Sequence, residues 1–179
     1  MTDDVRIRPA VEADAPALLA IYRPFVEETA VSFETAVPTP AEFAARITKT
    51  RARWLWLVAE TDGQCLGYAY GSTHRERPAY RWAVEVSAYV APDCRRRGVG
   101  SALYRALLPG LAEQGYRGAF AGIALPNEPS IALHRRHGFT SIGVFERIGW
   151  KLGRWHDVAW MQRRLDPTDD DGPPREPGP

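Results

Sequence analysis

A short segment rich in arginine and glycine, residues 95–100, constrains this sequence more than any other feature because of what stands on either side of it. Residues 86–90 before it form a strand-like run, and residues 98–114 repeat leucines at helical spacing. A strand that enters a glycine-containing turn and then a helix presents the unpaired amides of the first helical turn to an anion. The segment therefore predicts a strand–turn–helix unit with a site for a phosphate-bearing ligand.

Two familiar phosphate-binding patterns do not fit this segment. A P-loop requires a lysine directly after its last glycine, and no lysine lies near residues 95–100. The dinucleotide fingerprint requires a small residue three positions after Gly100, where Leu103 stands. Because Gly98 and Gly100 lack a Cβ, a ligand is expected to approach their backbone closely. For these six residues alone, a solvated basic turn without a ligand is the alternative.

The spacing Arg-x-x-Gly-x-Gly, from Arg95 to Gly100, resembles the pyrophosphate-binding motif of the Gcn5-related N-acetyltransferase superfamily. The resemblance implies acetyl-coenzyme A as co-substrate, no metal, and a central, mostly antiparallel sheet flanked by helices. It also implies that the pantetheine arm lies along the backbone of Ala88, Tyr89 and Val90, where a free amide could polarise the acetyl carbonyl. The residues it places at the pyrophosphate are Arg95, Arg96, Arg97, Gly98, Val99, Gly100 and Ser101.

A second motif, Asn-x-x-Ser-x-x-Leu-His-x-x-x-Gly-Phe at residues 127–139, also resembles this superfamily. There, the asparagine and the helix that follows contact the pantetheine arm, which implies cofactor contacts from Asn127, Ser130 and Arg136. An N-cap at Asn127, a core position at Leu133 and a C-cap at Gly138 explain most of the same residues without a ligand. The two interpretations can hold together.

Two further segments narrow the resemblance. Residues 80–90, with the pattern Tyr-x-Trp-x-Val-Glu-x-Ser-x-Tyr-Val, and residues 153–158, Gly-Arg-Trp-His-Asp-Val, look like the phosphinothricin and methionine sulfoximine N-acetyltransferase subgroup. The resemblance spans about residues 5–165. Members of this subgroup acetylate the α-amino group of small amino-acid analogues and form homodimers, so the resemblance implies an amino-acid-like amine as substrate and a second copy of the chain as partner.

Strand-like and helix-like runs interleave along the chain, which predicts an α/β (α+β) mixed sheet in a single domain, residues 1–165. Residues 166–179, acidic and then rich in proline and glycine, are expected to form a disordered tail. The net charge of +1 argues against nucleic acid or an anionic membrane as a partner. A charged start, no long apolar run and two cysteines without metal or redox spacing together predict a cytoplasmic protein with unpaired thiols.

Two local predictions are specific enough to check element by element. Residues 39–42, Thr-Pro-Ala-Glu, match a capping box with proline at the first helical position, and they predict a helix through about residue 51. Residues 139–145 and 158–165 predict the last two strands of the sheet.

Glu85 and His134 are the candidate catalytic residues. Glu85 lies within an apolar strand, where burial would raise the pKa of its carboxyl group and suit it to accept the proton of the acceptor amine. The residues alone favour an exposed glutamate or an ion pair with a nearby arginine, whereas the resemblance implies the base. His134 is the candidate acid for the departing thiolate, although a lone histidine on a helix more often packs.

The loop before Glu85 carries the candidate residues for the acceptor. Its guanidinium groups suit a carboxylate, phosphinate or sulfoximine, because their donors match such groups in pairs. A solvated loop is the alternative for these arginines. The residues expected at the acceptor are Phe33, Arg75, Arg77, Pro78, Ala79, Tyr80 and Glu85.

The sequence thus favours an acetyl-CoA-dependent N-acetyltransferase that acts on the α-amino group of a small amino acid or analogue, by direct attack of the amine on the thioester. An enzyme for another amine, such as a protein N-terminus or a polyamine, is the first alternative. A non-catalytic acyl-CoA-binding module is the second, and it would release no coenzyme A when an amine is added. A nucleic-acid binder is disfavoured by the short basic run and the near-neutral charge.

Overall fold

The computed structural model describes residues 5–166, 172 and 174–178, and within them it contains one sheet and four α-helices. The strands are β1 (Arg6–Pro9), β2 (Trp56–Thr61), β3 (Gln64–Thr73), β4 (Ala83–Val90), β5 (Gly118–Ala124), β6 (Thr140–Lys151) and β7 (Arg154–Arg164). The helices are α1 (Ala15–Glu27), α2 (Pro40–Arg51), α3 (Val99–Glu113) and α4 (Glu128–Arg136).

The seven strands lie in the order β1-β2-β3-β4-β5-β7-β6. Neighbouring strands are antiparallel throughout, except that β4 and β5 are parallel. The parallel pair is joined by α3, as a crossover between parallel strands requires. The predicted α/β mixed sheet, mostly antiparallel and flanked by helices, is confirmed.

The parallel strands β4 and β5 stay together over only three residues each. Their register joins Ala83–Glu85 of β4 to residues 118–120 of β5 and then stops. Beyond Glu85, β4 continues to Val90 paired with β3, whereas β5 continues to Ala124 paired with β7. Strands β4 and β5 therefore diverge, and the side of residues 86–90 that faces β5 has no strand partner in the described chain.

The two faces of the sheet are covered by different helices. On one face, Trp56 of β2 stacks on Tyr70 of β3 with ring centroids 4.3 Å apart, and Phe43 of α2 meets Trp56 edge-on. On the other face, Leu111 of α3 packs over Gly71 and Val84. Since side chains alternate across a strand, the face with the aromatic rings also carries Glu85.

Helix α2 begins as the capping box predicts. The Thr39 hydroxyl accepts a hydrogen bond from the Glu42 amide at 3.2 Å, and the Glu42 carboxylate accepts one from the Thr39 amide at 2.7 Å. Pro40 occupies the first turn, where its missing N–H costs nothing. The predicted end at Arg51 is also confirmed.

The last two strands form a longer hairpin than the sequence predicts. The expected strands end at residue 145 and resume at residue 158, but β6 runs to Lys151 and β7 starts at Arg154. A bulge between Phe145 and Gly149 interrupts the alternation of side chains, with Arg147 in the left-handed region at φ 49°. The bulge breaks the alternation of apolar and polar residues by which a strand is predicted, but the strand itself continues past it.

The described tail residues lie against the domain. Arg81 pairs with Glu176 at 2.7 Å, and the indole N–H of Trp82 donates to the Arg175 carbonyl at 2.9 Å. The Gly178 amide donates to the Gln114 carbonyl at the end of α3. The domain boundary after residue 165 stays a prediction, and the tail residues 167–171, 173 and 179 lie outside the described part.

Candidate active site

The turn after β4 takes the form that the sequence predicts for an anion site. Arg96 and Gly98 have left-handed backbones, at φ 62° and 80°, and α3 begins directly after them. The first bond of the helix runs from the Ala102 amide to the Gly98 carbonyl. The amides of the three residues before Ala102, residues 99–101, are therefore not used in the helix ladder and add to the positive end of its dipole.

The two glycines of this turn, Gly98 and Gly100, have different surroundings. A Cβ built on Gly98 would meet nothing within 4 Å, which fits a backbone open to a ligand. A Cβ on Gly100 would lie 3.2 Å from the Leu133 side chain of α4 and 3.8 Å from that of Val90. The bare Cα of Gly100 therefore allows the close packing of Leu133 of α4, and the close approach of a ligand to the Gly100 backbone stays a prediction.

The arginines of the turn are exposed to solvent. Arg95, Arg96 and Arg97 all lie at the surface, and the Arg95 guanidinium sits 5.4 Å from the centre of the Phe25 ring in α1. Arg136 is exposed near the end of α4. These positive charges surround the start of α3, and their contact with a pyrophosphate stays a prediction.

Helix α4 is capped as the ligand-free interpretation expects. The Asn127 side-chain oxygen accepts a hydrogen bond from the Ser130 amide at 3.3 Å, which makes Asn127 the N-cap. Gly138 follows the helix with φ 79°, a conformation that favours glycine at a helix end. Contacts of Asn127, Ser130 and Arg136 with a pantetheine arm stay predictions beside these structural roles.

His134 is buried and its two ring nitrogens are both engaged. Nδ1 lies 2.7 Å from the Ser130 carbonyl oxygen, which only accepts, so Nδ1 carries the proton. Nε2 lies 2.9 Å from the Tyr104 hydroxyl and accepts from it. Burial lowers the pKa of His134, which keeps the ring neutral. Its role as thiolate acid stays a prediction, and it would require the ring to give up its bond to Ser130.

The unpaired side of β4 is the candidate path for an extended ligand. Ala88, Tyr89 and Val90 lie where β4 has left β5, so their backbone groups on that side are available. The Tyr89 ring is occupied elsewhere, since it meets Tyr22 at 5.0 Å and Phe25 at 5.2 Å between ring centres. Only the backbone of Tyr89 remains for a ligand.

A cavity of about 370 Å³ opens where β4 and β5 diverge, and we call it the β4–β5 cavity. Two polar side chains, Glu85 and Ser87 of β4, lie in its wall. The rest of the wall is apolar apart from one glycine and comes from the loop after α1, from β4, from β5 and from the β6–β7 hairpin: Val31, Phe33, Val86, Gly122, Ala124, Phe145, Ile148, Val158 and Trp160.

Glu85 has the environment of a proton acceptor. Burial raises the pKa of its carboxyl group above the ordinary value, while a hydrogen bond to His74 and the charge of Arg75 act in the opposite direction. Its Oε1 lies 3.0 Å from Nδ1 of His74, and its side chain remains 30% exposed on the cavity side of the pair. A carboxylate with a raised pKa and an open side can take a proton from a ligand.

The residues expected at the acceptor separate into three groups. Phe33 and Glu85 line the β4–β5 cavity. The Arg75 guanidinium lies 6.0 Å from the Trp160 ring, which belongs to the cavity wall, and Tyr80 meets His74 with its ring edge. The exposed residues of the same loop do not line the cavity, and their contact with a substrate stays a prediction: Arg77, Pro78 and Ala79.

Of the residues that line the cavity, sequence analysis predicted only Phe33 and Glu85. Three examples, Ser87, Trp160 and the nearby His74, show which signals were available for the rest. Ser87 could have been found, because alternation along β4 places it on the same face as Glu85. Trp160 lies opposite Gly122 in the β5–β7 register, a pairing that a single sequence does not reveal. His74 approaches Glu85 because β3 and β4 are neighbours, and Ser72 is the partner of Glu85 in their register.

A buried lysine holds the loop that forms one wall of the cavity. Lys151 is 6% exposed, and its ammonium donates to the Ser32 carbonyl at 2.6 Å. The Ser32 hydroxyl bonds to Tyr22 of α1 at 2.6 Å. Phe33 then lies directly over Gly149, where a Cβ would overlap its ring. The loop around Val31 and Phe33 is thus fastened to both α1 and β6.

Residues 7–160 match the family model described as the acetyltransferase (GNAT) domain. The chain therefore belongs to the GNAT acetyltransferase family, and the sheet with its four helices is the fold of that family. By family it is an N-acetyltransferase, as the sequence resemblance implies.

Named relatives cover nearly the whole chain. Phosphinothricin N-acetyltransferase of Streptomyces viridochromogenes is 41% identical over 159 residues, which are 89% of this chain and 87% of that protein. L-methionine sulfoximine/L-methionine sulfone acetyltransferase of Pseudomonas aeruginosa is 41% identical over 164 residues, 90% of this chain and 95% of that protein. A GNAT superfamily phosphinothricin acetyltransferase of Sinorhizobium meliloti, solved in complex with AcCoA, superposes with a TM-score of 0.91 at 38% identity, covering 98% of this chain and 95% of that one.

The described residues contain neither a membrane-spanning helix nor a metal-binding cluster. No helix among them has the length and apolar character needed to cross a membrane. They also contain no group of three or more His, Cys, Asp and Glu side chains placed to hold a metal ion.

Proposed function

We propose that this protein transfers the acetyl group of acetyl-CoA to the α-amino group of a small amino acid or amino-acid analogue. One observation carries the proposal: the carboxylate of Glu85 lies in the wall of a cavity at the point where β4 leaves β5, on the strand that leads to the predicted anion-binding turn. The names of the relatives from Streptomyces viridochromogenes and Pseudomonas aeruginosa support the same class of acceptor.

The proposed path of acetyl-CoA runs from the turn after β4, along the free side of that strand, to the β4–β5 cavity. The amides of residues 99–101 and the arginines around them bind its pyrophosphate. The pantetheine arm then runs back along the free side of β4, from Val90 towards Val86, over about 13 Å of strand. This path brings the thioester to the β4–β5 cavity, beside Glu85 and Ser87. The AcCoA complex of the Sinorhizobium meliloti relative supports this choice of donor.

The reaction needs an amine without its extra proton. Glu85 takes one proton from the acceptor ammonium, directly or through water, and the free amine attacks the thioester carbonyl. An unpaired amide of β4 donates to the oxygen that becomes negative during the attack. The carbon–sulfur bond then breaks, and the departing coenzyme A thiolate takes up the second proton, which the attacking nitrogen loses as the amide forms. Holding both substrates in contact contributes about 7–11 kcal/mol in favourable systems.

The walls of the cavity fit a small amino acid. Its apolar surface, formed by side chains such as Phe33, Phe145 and Trp160, suits an aliphatic side chain, while Glu85 and Ser87 face the amine. Arg75, over Trp160, is a cationic partner for the acceptor's carboxylate. A volume of about 370 Å³ is large enough for one such molecule.

A homodimer is part of this proposal. Strand β6 forms one edge of the sheet, and its outer side has no strand partner in the described chain. Five apolar side chains of this edge strand are about half exposed: Ile142, Val144, Phe145, Ile148 and Trp150. Leu152 and Trp155 extend the same apolar surface around the hairpin. A long, exposed, apolar edge strand favours aggregation unless a second copy of the chain covers it.

A cytoplasmic setting is the last part of the proposal. Cys65 and Cys94 are both unpaired, and burial raises the pKa of each thiol, so neither is primed to react. Free thiols of this kind suit a reducing compartment.

The acceptor class is tested by following coenzyme A thiol release from acetyl-CoA with a panel of amines. The panel comprises L-methionine sulfoximine, phosphinothricin, common amino acids, polyamines and short peptides. We expect release with the free amino acids and analogues and little with polyamines or peptides. Faster release with peptides or polyamines would indicate an N-acetyltransferase for another amine. Binding of acetyl-CoA without thiol release for any amine would indicate a non-catalytic acyl-CoA-binding module.

A further inference from the structure

A histidine that the proposed reaction does not yet use lies against the proposed base. His74, at the end of β3, places Nδ1 3.0 Å from Oε1 of Glu85, and its side chain is only 11% exposed. The two residues are far enough apart in the chain that only the β3–β4 pairing brings them together. The contact is therefore a product of the fold and not of a local turn.

Three aromatic rings fix the orientation of the His74 ring. It stacks on Phe120 of β5 with centroids 4.3 Å apart and planes at 11°. Trp160 of β7 and Tyr80 meet it edge-on, at 5.8 Å and 6.4 Å. These contacts fix the plane of the His74 ring, and the hydrogen bond to Oε1 of Glu85 selects the edge that carries Nδ1.

Glu85 needs a partner of this kind to act as a base. Burial in the apolar cavity favours the protonated carboxyl group, which cannot accept a proton. His74 donates to the carboxylate form and so opposes burial, and Arg75 does the same through its charge. The groups near the pair also include the phenol of Tyr80, the phenol of Tyr70, which interacts with the Glu85 charge, and the uncharged rings of Phe120 and Trp160.

We propose that His74 is a positioning residue for Glu85: it fixes the carboxylate towards the β4–β5 cavity and keeps it ionised near neutral pH. The proposal rests on the proposed function, because it gives Glu85 the role of base. His74 itself touches no substrate, and its Nδ1 keeps its proton throughout the reaction as the donor to Glu85.

Two variants of His74 separate the hydrogen bond from the packing of the ring. His74→Phe keeps a flat ring against Phe120 but removes the donor to Glu85. His74→Asn keeps a donor at about the position of Nδ1 but removes most of the ring. If His74 acts through Glu85, the ionisation of Glu85 changes in His74→Phe and stays near wild type in His74→Asn. If His74 serves only to pack, His74→Asn is the more damaging of the two substitutions.

The first measurement needs no activity. Carboxyl ¹³C NMR of the full chain follows the titration of Glu85, whose signal is identified by its loss in Glu85→Gln. We expect the midpoint to rise by about one pH unit in His74→Phe, since a hydrogen bond to a charged group is lost. We expect it to stay close to the wild-type midpoint in His74→Asn. A wild-type midpoint in His74→Phe would overturn the proposal.

The second measurement is the pH dependence of kcat/KM for the best acceptor of the wild-type enzyme. The acidic limb is expected to shift upward in His74→Phe and to stay in place in His74→Asn, with the KM for acetyl-CoA unchanged in both. A lower rate in His74→Phe at every pH, without a shift, would also overturn it. If no amine is acetylated, the proposed function fails while the NMR titration still decides whether His74 controls the ionisation of Glu85.

Discussion

Burial gives Glu85 and His134 opposite properties at the scale of single residues. Glu85 has its pKa raised by burial but keeps an open side towards the cavity, so it can exchange a proton with a ligand. Burial lowers the pKa of His134, and both of its ring nitrogens form hydrogen bonds, with Ser130 and Tyr104. The sequence placed both as candidates, and the difference between them depends on neighbours that are distant in the chain.

The buried, neutral state of His134 predicts a loss of stability in acid. Its folded pKa lies below the ordinary value of 6.5, so the unfolded chain binds the proton first as the pH falls. The stability is present above pH 6.5 and is lost as the pH falls from there towards the folded pKa. Urea unfolding of wild type and His134→Gln at about pH 7.5 and about pH 5.5 measures this, and the variant should lose less stability.

His137 provides the control for this comparison, because burial lowers its pKa as well and its Nε2 bonds to the Ser101 hydroxyl at 2.8 Å. His137→Gln should remove its own part of the acid loss and leave that of His134. If His134→Gln lost as much stability as wild type on acidification, His134 would not be neutral in the folded protein.

At the scale of elements, the sequence was most informative where a local signal decides the structure. The capping box at Thr39 and Glu42 and the glycine before α3 fix helix ends through contacts three or four residues apart. The β6–β7 hairpin was predicted too short, since a bulge near Arg147 breaks the alternation that marks a strand. The acceptor site was predicted in part, because Trp160 and His74 reach it through strand order.

The bond between Lys151 and the loop over the cavity can be tested by substitution of the lysine. Lys151→Met removes the bond to the Ser32 carbonyl and leaves a buried acceptor unpaired, at a cost of about 1–3 kcal/mol in unfolding free energy. Because this loop carries Phe33, the KM for the amine should rise about tenfold, which corresponds to about 1.4 kcal/mol. The affinity for acetyl-CoA should not change, since its proposed path lies along β4.

Lys49, the other lysine of the sequence, is exposed on α2 and supplies the matched control. Lys49→Met should leave stability and both kinetic constants near wild type. An equal effect of the two substitutions on the amine KM, or an acetyl-CoA affinity that falls with Lys151→Met, would mean that Lys151 does not hold the acceptor wall in place.

At the scale of the whole molecule, the edge strand β6 predicts a homodimer. Trp150 is 58% exposed and packs edge-on against Trp155, which is 47% exposed. Trp150→Glu places a charge on this surface and should shift the protein from dimer to monomer in sedimentation velocity. Val11→Glu, on an apolar residue that is 47% exposed and lies away from β6, is the control and should remain dimeric. A wild-type protein that sediments as a monomer would contradict the dimer.

The role of Glu85 as the base of an acetyl transfer from acetyl-CoA is tested by the turnover of Glu85→Gln at neutral pH, with acetyl-CoA binding measured by calorimetry on the same preparation. We expect kcat to fall by about 100-fold or more while the Kd for acetyl-CoA stays close to wild type. Normal turnover of Glu85→Gln at neutral pH would contradict it.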